Sequence, residues 1–167
     1  VNINVLAVDP GTTTGWALMR DVDPATSPHT ECDINMISQQ LGGDEYQISH
    51  DIYRIIKHVW PVAVVIEDFI PKQLNKQRWF LSPVRIANQL TMLMWEDNRT
   101  WLLQMPSLAM STIPDEYLKS IDMYQPGKPH ANDAVRHCLT YIRRVQQKPA
   151  LHQQMIELRG LDPASPM

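Results

Sequence analysis

The sequence predicts an α/β protein with a mixed five-stranded sheet, three antiparallel hairpin strands plus two parallel strands, flanked by helices. Three observations carry this. Apolar runs at 3–8 and 15–19 are joined by Asp-Pro-Gly-Thr, a tight-turn sequence. VAVVIE at 62–67 is an almost pure β-branched run, the pattern of a central strand buried on both faces. Segments with helical periodicity surround it, so an initial run of strands gives way to βα units.

Each element follows from local chemistry. INVLAV (3–8) is a run apolar except for Asn4 and ends at the turn, and GWALM (15–19) is the strand that returns from it. Residues 21–30 hold two prolines among polar residues and predict a loop, after which CDINMI (32–37) fits an outer third strand. In GGDEYQISHDIYRIIKHVW, Ile48, Ile52, Ile55, Ile56 and Val59 recur at helical spacing, and Pro61 ends that helix. Residues 68–81 predict a basic, aromatic loop. Ser82-Pro83 predicts an N-cap and first-turn proline, opening a helix to about Trp95. TWLLQ (100–104) is a short strand, and prolines at 106, 114, 126 and 129 predict short turns. HANDAVRHCLTYIRRV (130–145) is the last clear helix, with Val135, Leu139 and Ile142 on its apolar side; a short helix over 149–158 and a mobile tail from 161 to 167 follow. Residues 1–160 read as a single domain.

With 167 residues, 44% of them hydrophobic and 20% charged, the chain suits a folded domain. No apolar run approaches the ~18 residues of a membrane span and no signal peptide precedes the first strand, so no membrane partner is expected. Cys32 and Cys138 lack metal-type spacing and read as packing thiols in a reducing cytoplasm. A net charge of −3 argues against a general nucleic-acid coat protein. The charge is unevenly spread, however: Lys72, Lys76, Arg78 and Arg85 lie in a stretch from Phe69 to Trp95 that holds no carboxylate. Such a segment suits a defined anion-binding face.

Asp9 ends the first strand, Glu67 ends the fourth, and Asp133 lies near the start of the last helix. Strand ends on one edge of an α/β sheet line its active crevice. On an ideal helix His130, Asp133 and His137 share a side opposite the apolar stripe, free to meet the strand-end carboxylates. Singly, each has a structural reading: Asp9 as a turn former, Glu67 as a surface residue, Asp133 as an acid near a helix N-terminus, His130 as a cap. Together they would repel unless a cation sat between them. Oxygen-rich donors favour Mg²⁺, with Mn²⁺ able to substitute, over zinc. Two such ions per site supply what phosphodiester hydrolysis needs, an activated water and a stabilised leaving oxygen.

Taken together, VLAVDPGTTTGWA, VVIEDF and HANDAVRH resemble the RuvC-type Holliday junction resolvases, particularly their small bacteriophage-borne branch. The likeness spans roughly residues 3 to 145. It implies the RNase H-like fold, a homodimer, Mg²⁺ dependence, paired nicks at four-way DNA junctions and, for a phage-encoded protein, the bacterial host cytoplasm. By motif match Asp9 and Glu67 take the family's strand carboxylates, and His130 and Asp133 its last-helix pair, as catalytic and metal-binding residues. The chain departs from the cellular enzymes in the length of its Asp-Pro-Gly to Thr-Gly turn and in carrying Asp68 beside Glu67. Strand alternation points those two acids to opposite faces, which favours Glu67 as the ligand.

The loop FIPKQLNKQRWFLSPVR mixes Lys72, Lys76, Arg78 and Arg85 with Phe69, Trp79 and Phe80. Bases neutralise phosphates and aromatic faces stack on unpaired bases, so these residues are the DNA-binding candidates; core anchoring is the other reading for Trp79 and Phe80. The resemblance makes Phe69 the nearest match to a stacking aromatic. It also assigns the helix around 82–95, apolar on more than one side, to the dimer interface. Arg136, Arg143 and Arg144 read as solvent-facing arginines able to add phosphate contacts. Kinase-like and actin-like ATPases share the Asp-x-Gly-Thr-Thr turn but need a second phosphate loop that this chain lacks, so no nucleotide cofactor is expected. A nuclease of the same fold acting on other branched DNA or RNA–DNA hybrids, and a non-catalytic junction-binding protein, remain the alternatives.

Overall fold

The computed structural model describes residues 3–22, 35–59, 62–69 and 81–151. The first strand, β1 (Ile3–Asp9), pairs antiparallel with β2 (Thr13–Val22), which pairs antiparallel with β3 (Met36–Gly42). On its other side β1 runs parallel to β4 (Val62–Glu67), and β4 parallel to β5 (Trp101–Gln104). The strand order is β3-β2-β1-β4-β5, the mixed sheet expected from the sequence. One face is covered by α1 (Glu45–His58) and α2 (Ser82–Glu96). Short helices α3 (Pro106–Thr112) and α4 (Asp115–Ser120) and the long α5 (Pro129–Gln147) cover the other.

Strand alternation divides the core into two layers. Leu6, Val8, Val62, Val64 and Ile66 meet Ile48, Ile52, Ile56, Ile86 and Leu90 beneath α1 and α2. Val5, Ala7, Ala63 and Val65 meet Ala134, Val135, Cys138, Leu139 and Ile142 beneath α5. The series 5, 7 and 63, 65 continue to Asp9 and Glu67, so both carboxylates leave their strands on the α5 side.

Several elements differ from expectation for identifiable reasons. The third strand runs from Met36 to Gly42, and residues 32–34 lie outside the described residues. It is an edge strand with a half-exposed, polar sequence, so its position follows from pairing with β2 rather than from an apolar alternation. The predicted turns after β5 are two short helices, because proline is pre-organised for a first helical turn: Pro106 and Pro129 open helices and Pro114 precedes one. Ser82 is inside α2 rather than its cap; Leu81 holds that position, and the Ser82 hydroxyl donates instead to Glu45 Oε1 at 2.6 Å. Most of the predicted 149–158 helix and the whole tail lie outside the described residues. Among the described residues no helix is long and apolar enough to cross a membrane.

Candidate metal centre

The parallel register sets the floor of the site. Val8 pairs with Ile66, so the next residues, Asp9 and Glu67, end their strands side by side, and Glu67 pairs with Gln104. The N-terminus of α5 closes over this row. It can do so because Asp9 pairs with Gly15: a Cβ on Gly15 would lie 1.9 Å from the His130 carbonyl oxygen. The same helix start is held by β3, where Gln40 Oε1 accepts from the backbone N–H of His130 at 3.0 Å and of Ala131 at 3.4 Å. No side chain of α5's own N-cap residue, Lys128, supplies that bond. Gln40 was not legible in the sequence, since a glutamine on an edge strand carries no signal of its own.

His130 Nδ1 lies 2.7 Å from Asp9 Oδ2, and Asp133 follows one turn along α5. Asp9, His130 and Asp133 each offer a ligand atom, and these atoms all lie within 4.8 Å of one another. Burial, reinforced by Glu67, holds the Asp9 carboxyl above its ordinary range against the His130 hydrogen bond. That hydrogen bond, with the charge of Asp9, raises His130 although burial opposes it. Burial and the charges of Asp9 and Glu67 push Asp133 up to about 6. On its far side Asp133 pairs with Arg136, which also pairs with Asp115 and donates from Nε to the Ile113 carbonyl at 3.1 Å. Arg136 is therefore buried beneath the site, not solvent-facing as the sequence suggested.

Glu67 stands beside this cluster. Its Oε2 lies 2.8 Å from Nε2 of the fully buried His137, whose Nδ1 is 2.8 Å from Gln104 Nε2. Helical geometry placed His137 with His130 and Asp133, yet gave it no partner; Gln104 was missed outright. Asp68 follows β4, its backbone N–H donating to the Gln104 carbonyl at 2.9 Å, and with Glu67, Phe69, Val84, Ala87 and Trp101 it lines a groove of about 260 Å³. The turn threonines serve the hairpin: Thr14 Oγ1 donates to the Gly11 carbonyl at 2.8 Å and accepts from its N–H at 3.1 Å.

Of the DNA-binding candidates, Lys72, Lys76, Arg78 and Trp79 lie outside the described residues, as does Phe80. Arg85 is engaged by Glu45, with Nη1 at 3.3 Å from both carboxylate oxygens, so its charge is largely neutralised locally. Arg143 donates to the Thr112 carbonyl and lies over the Tyr117 ring. Arg144 Nη1 is 3.5 Å from Gln104 Oε1.

A desolvated group of two carboxylates and an imidazole, with a third carboxylate alongside, gains from a shared cation, and its oxygen-rich donors fit a hard divalent ion. Protons compete for the same atoms. In the cation-free protein the raised Asp9 and Asp133 favour their neutral forms, so their contribution to stability is largest at low pH; that of Asp133 declines as pH rises through about 6, and that of Asp9 as pH rises through its own raised folded pKa. The raised His130 likewise loses its contribution as pH climbs through its folded pKa. Added Mn²⁺ is therefore expected to raise Tm by several degrees at pH 8.5 and far less at pH 5.5. Thermal unfolding with and without Mn²⁺ across that range checks this; equal shifts at both ends would contradict it.

No protein-family model matches the sequence, and neither does any curated protein sequence. Solved structures do. Thermus thermophilus RuvC aligns with a TM-score of 0.64 at 14% identity, over 86% of this chain and 98% of that one. T. thermophilus RuvC in complex with a Holliday junction substrate aligns at 0.63 and 13% identity, over 86% and 97%. Fowlpox virus resolvase in complex with substrate Holliday junction DNA aligns at 0.51 and 16% identity, over 84% and 99%. At these identities the likeness is one of fold: the chain has the RNase H-like fold of RuvC.

Proposed function

We propose that the chain is a structure-selective endonuclease that resolves four-way DNA junctions by Mg²⁺-dependent phosphodiester hydrolysis, with Mn²⁺ able to substitute. The observation that carries this reading is the convergence of Asp9, His130 and Asp133 within 4.8 Å, beside Glu67. It stands at the same sheet edge where β1 and β4 end, in a fold two of whose solved neighbours were captured with Holliday junctions.

Asp9, Glu67, His130 and Asp133 are the residues to hold divalent ions, two per site. Ions bound there supply water activation and neutralise charge on the leaving oxygen. The chain's own part is positional. The Asp9–His130 hydrogen bond aligns the two groups, and Arg136 braces Asp133 from behind. Binding alone would not require so many mutually repelling groups in a desolvated corner.

Junction DNA would be held by the loop after β4. Phe69, next to Glu67 in the groove beside α2, is placed to stack on an unpaired base, and Lys72, Lys76, Arg78 and Trp79 follow it in sequence. Arg85 has a smaller part because Glu45 already pairs with it. Replacing Lys72, Lys76 and Arg78 together by Ala should reduce the magnitude of the slope of log affinity against log salt by about 2.7, that is about 0.9 for each of three lost phosphate contacts. Binding titrations from 50 to 200 mM salt measure this, and an unchanged slope would place DNA elsewhere.

The partner subunit would pack on α2. Its Ile86, Leu90 and Met94 are buried in the core, while Met92 and Trp95 are 57% and 71% exposed. Two copies related by a two-fold axis would present two sites to a junction of matching symmetry, giving paired nicks.

A nicking assay tests the whole reading. Synthetic four-way junctions, flaps, RNA–DNA hybrids and plain duplex are incubated with protein and Mg²⁺. Paired cuts confined to the four-way junction are expected. Preference for flaps or hybrids would reassign the substrate, and binding without cutting would leave a junction-binding protein.

A further inference from the structure

Glu67 has a strong reason to turn away from the site. Asp9 and Asp133 face it, and each raises the cost of its neighbour's charge. A strand-end glutamate with solvent on one side would relieve that repulsion by rotating outward, yet Glu67 remains on the α5 side, held at 2.8 Å by His137.

His137 holds it through an Nε2–H, and the orientation of the Gln104 amide selects the neutral tautomer that carries this hydrogen. The Gln104 amide nitrogen lies 3.3 Å from the His137 carbonyl oxygen, a group that can only accept, and 2.8 Å from His137 Nδ1. The nitrogen end of the amide therefore faces the histidine, and its two hydrogens serve both acceptors. Nδ1 must then be bare, the ring proton sits on Nε2, and Nε2–H donates to Glu67 Oε2. This bond takes Oε2 and leaves Oε1 as the oxygen with both lone pairs to offer. Gln104 is itself fixed by the β4–β5 register, which sets it opposite Glu67, and it is 1% exposed.

We infer that Gln104 and His137 form a positioning pair that holds the Glu67 carboxylate beside Asp9 and Asp133, so that it can share a divalent cation with them. The pair draws on β5 and α5 to aim a side chain of β4. Apolar residues at both positions would fill the same buried space without aiming anything. This inference rests on the metal-dependent reading above, and its test separates the two.

The variants are His137→Leu, which keeps bulk without a donor; His137→Gln, whose amide nitrogen reaches the position of Nε2; and Gln104→Leu, which leaves His137 in place but removes its tautomer control. Mn²⁺ affinity is read by calorimetry on DNA-free protein, cleavage on a four-way junction, and junction binding without divalent metal. His137→Leu should lose about 10- to 100-fold in both Mn²⁺ affinity and cleavage rate, with junction binding within about twofold. Gln104→Leu should lose about tenfold in Mn²⁺ affinity, and His137→Gln should recover to within about fivefold of the parent. Equal losses in His137→Leu and His137→Gln, or parental Mn²⁺ affinity in His137→Leu, would overturn the inference. If His137→Leu does not fold, Gln104→Leu decides, and parental Mn²⁺ affinity there overturns it. A parent that binds Mn²⁺ but nicks no junction refutes the proposed function while the affinity comparison still judges the pair; a parent that binds no Mn²⁺ overturns both.

Discussion

Asp9→Asn should abolish the proposed junction cleavage, by a factor on the order of 10³ or more, and leave junction affinity within about twofold. The substitution preserves shape, so α5 keeps its seat on β1 and β2, and the basic loop is untouched. It removes the most buried charge of the cluster, the carboxylate that His130 meets at 2.7 Å. Two further readouts follow from the same electrostatics. The Mn²⁺-induced rise in Tm should vanish. The metal-free variant should be at least as stable as the parent at pH 8, because burial and Glu67 already disfavour the ionised form of Asp9. Cleavage at the parental rate, or an unchanged Mn²⁺ shift, would remove Asp9 from the centre.

Gly15→Ala should be more damaging to the fold than a single methyl normally is. The added carbon would stand 1.9 Å from the carbonyl oxygen of His130 and 2.8 Å from the nitrogen of Ala131, both backbone atoms of α5's first turn. No rotamer change relieves such a contact. The helix start must lift from β2, which costs about 3 kcal/mol and lowers Tm by about 10 °C for a chain of this size. His130 and Asp133 ride on that segment, so cleavage and the Mn²⁺ shift should fall with it. Gly42→Ala is the control, since a Cβ there meets nothing within 4 Å. Thermal unfolding and the junction assay on both variants decide the matter; a Gly15→Ala protein with parental Tm and cleavage would show that α5 does not depend on this approach.

Much of the fold could be read from local pattern. The run VAVVIE announced β4 to the residue. The spacing of Ile48, Ile52 and Ile56 announced α1, and the turn chemistry after Asp9 announced the first hairpin. Where local pattern was weak the reading slipped. The polar edge strand β3 was placed too early, and the prolines at 106 and 114 were read as breakers when they start helices. Arg85 and Arg136 looked available to phosphates because nothing local reveals that Glu45 and Asp115 claim them, although Asp133 stands only one helical turn before Arg136.

The candidate site divides along the same line. Periods of 2 and 3.6 residues are local, so the sequence alone could set Asp9 and Glu67 at strand ends and His130, Asp133 and His137 on one side of a helix. Partner choice is a long-range matter. His130 finds Asp9 across 121 residues, and His137 finds Glu67 across 70, with Gln104 entering from a third element. Those pairings depend on a parallel register and on a glycine that lets a helix settle against the sheet. Neither leaves a periodic trace, because each is a contact between surfaces that meet only after the chain has folded.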